Sequence, residues 1–283
     1  MEILVTGGVG FLGSHLVRRL VKEGHSVTVL DKSKKDINRI ADVKDKIKFI
    51  EKDVRKFREC SKFDLVYHLV AISDVTKCEE DPKEALSVNV GGTLNLLLQN
   101  PKKLVYPSSA AIYAEKGKRV IHSYDRINPK SIYGYTKKWA EELVDKFDQV
   151  VVRIPNVYGP YSPSVITKFV KRALEGKELI VYGDGEQMRT FIYVDDIVNA
   201  LVKIGMEGRR EFYQLGASSK FYKSVNDVIK VLKKKLPIKK VVYKPEREYE
   251  TRYSLLAYER SDLELRPKIE LEQGIDKLIK FYK

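Results

Sequence analysis

A run of glycines between an apolar stretch and an amphipathic one constrains this chain more than any other feature. Residues 3–6 read as a strand, Thr6-Gly7-Gly8-Val9-Gly10-Phe11-Leu12-Gly13 as a turn, and 11–23 as a helix closed by Gly24. Glycine allows the sharp turn and lets the backbone lie against a ligand. The helix start then presents unpaired N–H groups and the positive end of its dipole to an anion. A bare glycine triplet is an ordinary turn in many chains. In this strand–turn–helix context it suits the pyrophosphate of a dinucleotide, with Gly7, Gly10, Phe11, Leu12 and Gly13 as candidate contacts. Asp31 ends the next strand, where a carboxylate accepts from an adenosine ribose and repels a 2′-phosphate, favouring NAD over NADP. Lys32, Lys34 and Lys35 follow it, keep the phosphorylated alternative open, and put Lys32 among the candidate cofactor contacts.

The alternation continues. Strands are expected at 27–30, 48–50, 65–69, 104–106 and 150–154, with helices at 82–99 and 131–147 between them. Asp81-Pro82 marks a helix start, since Asp caps and Pro suits the first helical position. Strands separated by helices imply right-handed crossovers and an α/β fold with a Rossmann-type, doubly wound parallel sheet. After about residue 155 the rhythm changes, with glycine and proline at 155–163, a turn at 183–185, and helical patterns at 165–175, 195–203, 224–235 and 271–282. The expected division is a dinucleotide-binding unit at 1–155 that carries the reactive residues, and a smaller C-terminal substrate-binding lobe at 156–283, some of whose segments return to the first unit.

The 283 residues allow a sizeable core. Net charge is +14, from 53 Lys+Arg against 39 Asp+Glu. The basic residues are scattered rather than gathered in one arm, so a solvated surface is favoured over a nucleic-acid partner. Abundant Lys and Glu with few Asn and Gln match heat-adapted composition. No apolar run approaches the ~18 residues of a membrane helix, and no signal-peptide pattern opens the chain, which predicts a cytoplasmic protein. Cys60 and Cys78 are expected to be free thiols. His15, His25, His68 and His122 have no metal-ligand spacing, and no metal is expected.

Tyr133 and Lys137 stand at i, i+4 in Ser131-Ile132-Tyr133-Gly134-Tyr135-Thr136-Lys137. On a helix they share a face, and an ammonium beside a phenol favours phenolate, as does a positively charged nicotinamide, making a base active below the usual pKa of about 10. The pair alone is a common surface motif. Upstream, the strand at 104–106 delivers Ser108-Ser109-Ala110-Ala111 to the carboxyl edge of the sheet, where ligands bind in such folds. The serines alone equally suit a turn or a cap. Glycine loop, serine and Tyr/Lys pair in this order are what make chance a poor explanation.

Together with Asp31, His68-Leu69-Val70-Ala71, Asn89-Val90-Gly91-Gly92-Thr93, Asn156-Val157-Tyr158-Gly159-Pro160, Gly183-Asp184-Gly185-Glu186-Gln187-Met188-Arg189 and Tyr193-Val194-Asp195-Asp196, these motifs resemble the nucleotide-sugar epimerase/dehydratase branch of the extended short-chain dehydrogenases. The resemblance covers nearly the whole chain. It implies a tightly held NAD, a catalytic set of Ser109, Tyr133 and Lys137, an adenine-contacting Asp53-Val54, and a cofactor-lining turn at Leu69, Val70 and Ala71, with Asn89 nearby and with Tyr133 and Lys137 also touching the cofactor. It further implies a nucleotide-diphosphate sugar substrate held by Ser109, Asn156 and Arg189, with Arg247 and Arg252 as further diphosphate ligands, and a homodimer formed through the helices that begin near Pro82 and Ser131.

The sequence also departs from that pattern. Ala110 and Ala111 stand where dehydratases and decarboxylases of this branch carry an acid, which points to epimerisation at C4 through a 4-keto sugar, of the UDP-glucose/UDP-galactose type. Arg189-Thr190-Phe191 replaces the family's Arg-Asp-Phe. The loop between Pro160 and Val165 is short, and the usual aspartate after 253–256 is missing. The alternatives are an NAD(P)H-dependent reductase or dehydratase of a nucleotide sugar and, in another class, a noncatalytic NAD-sensing or RNA-binding protein.

Overall fold

A computed structural model describes residues 1–209, 211–259 and 262–283. The strands are β1 (Glu2–Thr6), β2 (Ser26–Asp31), β3 (Ile47–Glu51), β4 (Leu65–His68), β5 (Leu104–Ser109), β6 (Val150–Ile154), β7 (Asn156–Tyr158), β8 (Leu179–Tyr182), β9 (Met188–Tyr193), β10 (Phe212–Gln214), β11 (Tyr222–Ser224), β12 (Val241–Lys244) and β13 (Tyr253–Ser254). The helices are α1 (Phe11–Lys22), α2 (Val75–Glu80), α3 (Pro82–Leu86), α4 (Gly92–Leu97), α5 (Ile132–Lys146), α6 (Val165–Leu174), α7 (Val194–Glu207), α8 (Val225–Lys235) and α9 (Leu271–Tyr282).

Seven strands form the central sheet in the order β10-β6-β5-β4-β1-β2-β3, each pair parallel. Its central strands are buried on both faces, as a parallel sheet covered by helices requires. Alternation along β1 sends Ile3 and Val5 into one core with residues of α1, α6 and α7, and Leu4 into the other with Leu96 and Leu97 of α4 and Ala140 and Val144 of α5. The strand order reverses between β1 and β4, so a crevice opens beyond Thr6 and His68, which are register partners.

The glycine-rich turn, the six expected strands and the long helices lie where the pattern puts them, with two differences. The stretch expected as one helix at 82–99 is α3 and α4 joined by a π-helical turn at Ser87–Gly91, and α2 precedes it. In addition, β5 runs on to Ser109, because its last residues pair with Arg153 and Ile154 of β6.

Beyond residue 155, β9 lies between β11 and β13 and also pairs with β7, and β8 pairs with β12. Two segments from this half join the first: β10 completes the main sheet against β6, and α7 packs on α1.

Candidate active site

The glycine turn is built to approach its neighbours closely. Gly7 has φ +71°, and a Cβ there would lie 3.0 Å from the backbone of Leu69 and Val70. At Gly13 a Cβ would lie 2.1 Å from the Gly7 carbonyl, so only glycine lets α1 start this close to β1. The α1 N-cap, Gly10, has no side-chain cap, which leaves the first N–H groups of the helix for a ligand. This cradle fits a dinucleotide pyrophosphate. Asp31 stands beside it at the end of β2, its carboxyl raised by burial and opposed by backbone N–H groups of Lys32, Val9 and Ser33. Lys32 is exposed next to it. Arg39, which the sequence reading passed over, reaches the same turn and donates to the Val9 carbonyl at 3.2 Å.

Behind the cradle runs a buried chain of polar groups. The Thr93 hydroxyl donates to the Asn89 carbonyl at 2.6 Å and so accepts from His68 Nε2 at 2.9 Å. His68 Nδ1, then unprotonated, accepts from the Thr6 hydroxyl at 2.8 Å. Thr6 Oγ1 in turn accepts the N–H groups of Leu69 at 3.2 Å and Val70 at 3.3 Å. The pattern assigns the Nε2–H tautomer of a neutral imidazole. Thus Thr6 and His68 set the shape of the turn at Leu69, Val70 and Ala71, whose side chains stay half-buried at the crevice.

Asn89 and Asp53, two of the expected cofactor contacts, are both also engaged within the protein. The Asn89 amide accepts from Ile72 N at 2.7 Å and donates to Ile72 O at 3.0 Å and Thr136 Oγ1 at 2.9 Å. Buried, it pins the turn to α5 and shapes the crevice wall. The Asp53 carboxylate caps the turn at Val54–Lys56 and is gripped by Arg55 at 2.6 Å, which also holds it below the usual carboxylate range. Val54 is buried, so close to Gly92 that a Cβ there would meet it at 2.7 Å.

On the other side of the switch point, β5 and α5 bring Ser109, Tyr133 and Lys137 together. Ser131 caps α5 by accepting from Gly134 N at 3.1 Å. Gly134 permits the closest approach: a Cβ there would lie 2.5 Å from the Ala111 carbonyl. Ser109 Oγ accepts from Ala111 N at 3.1 Å, which leaves its own proton available to donate at the crevice. Burial pushes the Tyr133 phenol up to about 12, and the Ser109 hydrogen bond works in the opposite sense. Lys137 Nζ donates to the Pro107 carbonyl at 2.6 Å and lies 4.3 Å from the Tyr106 ring centroid. Burial brings Lys137 down to about 7, countered by Glu141.

The expected substrate ligands sit around the small sheet. Asn156 is exposed on β7 and pairs with Phe191 of β9. Arg189, on the same strand, is buried, and its guanidinium holds the carbonyls of Thr251 and Arg252 together with Glu250. Thr190, in place of the family's aspartate, accepts from Leu256 N at 2.8 Å, so residues 189–190 grip the 251–256 segment from both sides. Arg252 pairs with Asp184 at 2.5 Å, and the Arg247 guanidinium lies 3.8 Å from the centroid of the Tyr182 ring. All three arginines therefore border one loop. Among the described residues, no three potential metal-ligating side chains converge, and no helix is long and apolar enough to cross a membrane. Both cysteines are free and buried.

Comparison with known proteins agrees with this geometry. The model of the NAD dependent epimerase/dehydratase family matches residues 3–216. A putative UDP-glucose 4-epimerase of Methanocaldococcus jannaschii is 30% identical over 99% of this chain and 98% of its own length. The UDP-glucose 4-epimerase of Thermotoga maritima, solved with UDP-glucose, superposes with a TM-score of 0.90 at 30% identity, covering 100% of this chain and 98% of that one. A UDP-glucuronic acid 4-epimerase variant from Bacillus cereus, solved with a fluorinated substrate analogue and NAD, gives 0.91 at 26% identity over 100% of both chains. Other relatives carry the names of decarboxylases and 4,6-dehydratases. The chain is an NAD-dependent enzyme of the NAD dependent epimerase/dehydratase family, whose members act on nucleotide sugars.

Proposed function

We propose that this enzyme epimerises a UDP-hexose at C4, most simply UDP-glucose and UDP-galactose, through a transient 4-keto sugar. One observation carries the reading: α5, packed at Gly134 on the turn after Ser109, carries Tyr133 and Lys137 on one face, and two alanines follow the serine. Dehydration needs a further acid to expel water, and Ala110 and Ala111 supply none from that turn. The two epimerases of solved structure support the same reading.

Gly7, Gly10, Phe11, Leu12 and Gly13 would hold the pyrophosphate of NAD, Asp31 and Lys32 the adenosine end, and Leu69, Val70 and Ala71 the opposite wall. Bound oxidised NAD supplies the hydride acceptor and a positive charge that offsets the burial of the phenol. Tyr133 then takes the proton of the sugar C4 hydroxyl. Ser109, its oxygen already accepting from Ala111 N, donates to the same oxygen and orients it. Lys137 contributes charge and holds the ribose. When the 4-keto sugar presents its other face for reduction, Tyr133 would give the proton back, so the sugar would undergo no net oxidation. Asn156 and Arg189, with Arg247 and Arg252, would anchor the diphosphate so that binding energy remote from C4 retains the ketone while the hexose turns. For Arg189 this requires exchanging a backbone carbonyl for a phosphate oxygen.

The test is incubation of the purified enzyme with UDP-galactose and no added cofactor, with formation of UDP-glucose as the expected result. Tyr133→Phe should lower turnover by roughly 10²–10⁴-fold while NAD stays bound. No product across a panel of UDP- and dTDP-sugars rejects epimerisation, and consumption of added NADPH with a 4-keto sugar identifies a reductase.

A further inference from the structure

Lys137 is only 6% exposed, yet among the described residues no carboxylate forms an ion pair with it. Glu141, the acid one turn further along α5, is held elsewhere: Arg153 Nε reaches its two oxygens at 3.1 and 3.2 Å, and Nη2 lies 2.5 Å from Oε1. A helix places residues four apart on one face, so an unbound Glu141 could turn toward the lysine. Arg153 removes that option. It is fixed in turn by donating to the Tyr113 hydroxyl and the Ser123 carbonyl.

Two contacts remain for the ammonium, the Pro107 carbonyl at 2.6 Å and the ring of Tyr106 at 4.3 Å. Tyr106 is a curious residue for this place. Its hydroxyl is buried and has no hydrogen-bond partner among the described residues, an arrangement that costs free energy. Its ring, by contrast, neighbours both the lysine and His68, whose centroid is 5.9 Å away. A neutral His68 adds no competing charge on that side. The groups facing Lys137 are therefore His68 from β4, Tyr106 and the Pro107 carbonyl from β5, and Tyr133 and Glu141 from α5, with Arg153 of β6 behind the glutamate.

We propose that Tyr106 is a positioning residue, whose ring face seats the Lys137 ammonium beside Tyr133 and keeps it charged in a site that offers no carboxylate. A cation over a desolvated ring is attracted by the ring quadrupole without being neutralised. A carboxylate in contact would hold the ammonium tightly and neutralise its charge. The ring fixes its position and leaves its N–H groups and its charge available. The consequence for turnover rests on the epimerase reading, whereas the seat itself does not.

The experiment follows the Lys137 Cε resonance against pH in the full-length enzyme labelled with ¹³C-lysine, assigned by its loss in Lys137→Arg. Tyr106→Phe keeps the ring and should leave the midpoint within a few tenths of a unit. Tyr106→Leu, and pentafluorophenylalanine at position 106, should lower it by about one unit, because either change weakens the hold on the charged form. The fluorinated ring preserves shape, so the comparison stands even where the leucine variant folds poorly. The high-pH limb of kcat should move down with the midpoint while KM for the nucleotide sugar stays within about twofold. A midpoint indifferent to ring electronics overturns the proposal, as does a Tyr106→Phe shift as large as that of leucine. A midpoint that follows the ring while kcat does not establishes the seat and removes the catalytic reading above.

Discussion

His68 shows how one side chain ties the stability of this enzyme to the shape of its site. Buried between Thr6 and Thr93, it is held down to about 3, against about 6.5 for an exposed imidazole. As pH falls below about 6.5 the unfolded chain takes up a proton that the native chain refuses until about 3. The stability from this group is thus complete above pH 6.5 and is lost progressively down to about 3, at up to roughly 1.4 kcal/mol per pH unit. Urea unfolding followed between pH 7 and 4 should show that slope, and His68→Gln should flatten it by about one proton; an unchanged slope would place the acid sensitivity elsewhere. The sequence places His68 within an expected strand and without metal-ligand spacing. It could not show which hydroxyls flank the ring, because Thr93 lies far along the chain. The same limit hid the surroundings of Lys137. Its spacing from Tyr133 is local and legible, whereas Pro107 and Tyr106 reach it only through the packing of α5 on β5.

At the scale of elements, the glycine turn and the α5 start are the best-read parts, since each is set by neighbours within a few residues. The helix from Pro82 was less legible, because its π-helical turn at Ser87–Gly91 answers to distant partners: Asn89 there clamps Ile72 and Thr136. The small sheet around β9 was not read at all. Its strands are short, and they come from four separated stretches whose pairing no local period announces. The contact of α5 with the turn after β5 yields a sharp test. In Gly134→Ala the new methyl would meet the Ala111 carbonyl at 2.5 Å, and the helix or the turn must move. That displaces Tyr133 from Ser109, and misplacement on the ångström scale costs large factors in rate. We expect kcat to fall at least tenfold with NAD still bound and the melting temperature changed by only a few degrees. Unimpaired turnover would show that the approach is not needed for chemistry.

For the whole molecule, an α/β fold was written plainly in the alternation of apolar and amphipathic stretches, while the boundary near residue 155 divides the chain less cleanly than it divides the sequence pattern. α7 covers α1, and β10 supplies the outer neighbour of β6. A fragment ending at residue 155 would leave the edge of β6 open and the core face beneath α6 and α7 uncovered. It should be insoluble or lack a cooperative melt, whereas the full chain should unfold in one transition. A soluble fragment 1–155 that melts cooperatively would contradict this. The late place of β10 in the chain also sets an order of events on the ribosome. The nucleotide-binding half emerges first but cannot close its sheet until residues 212–214 have been translated, so the nascent enzyme passes through a long interval with an unpaired strand exposed, and chaperones that shield such edges have their opportunity there.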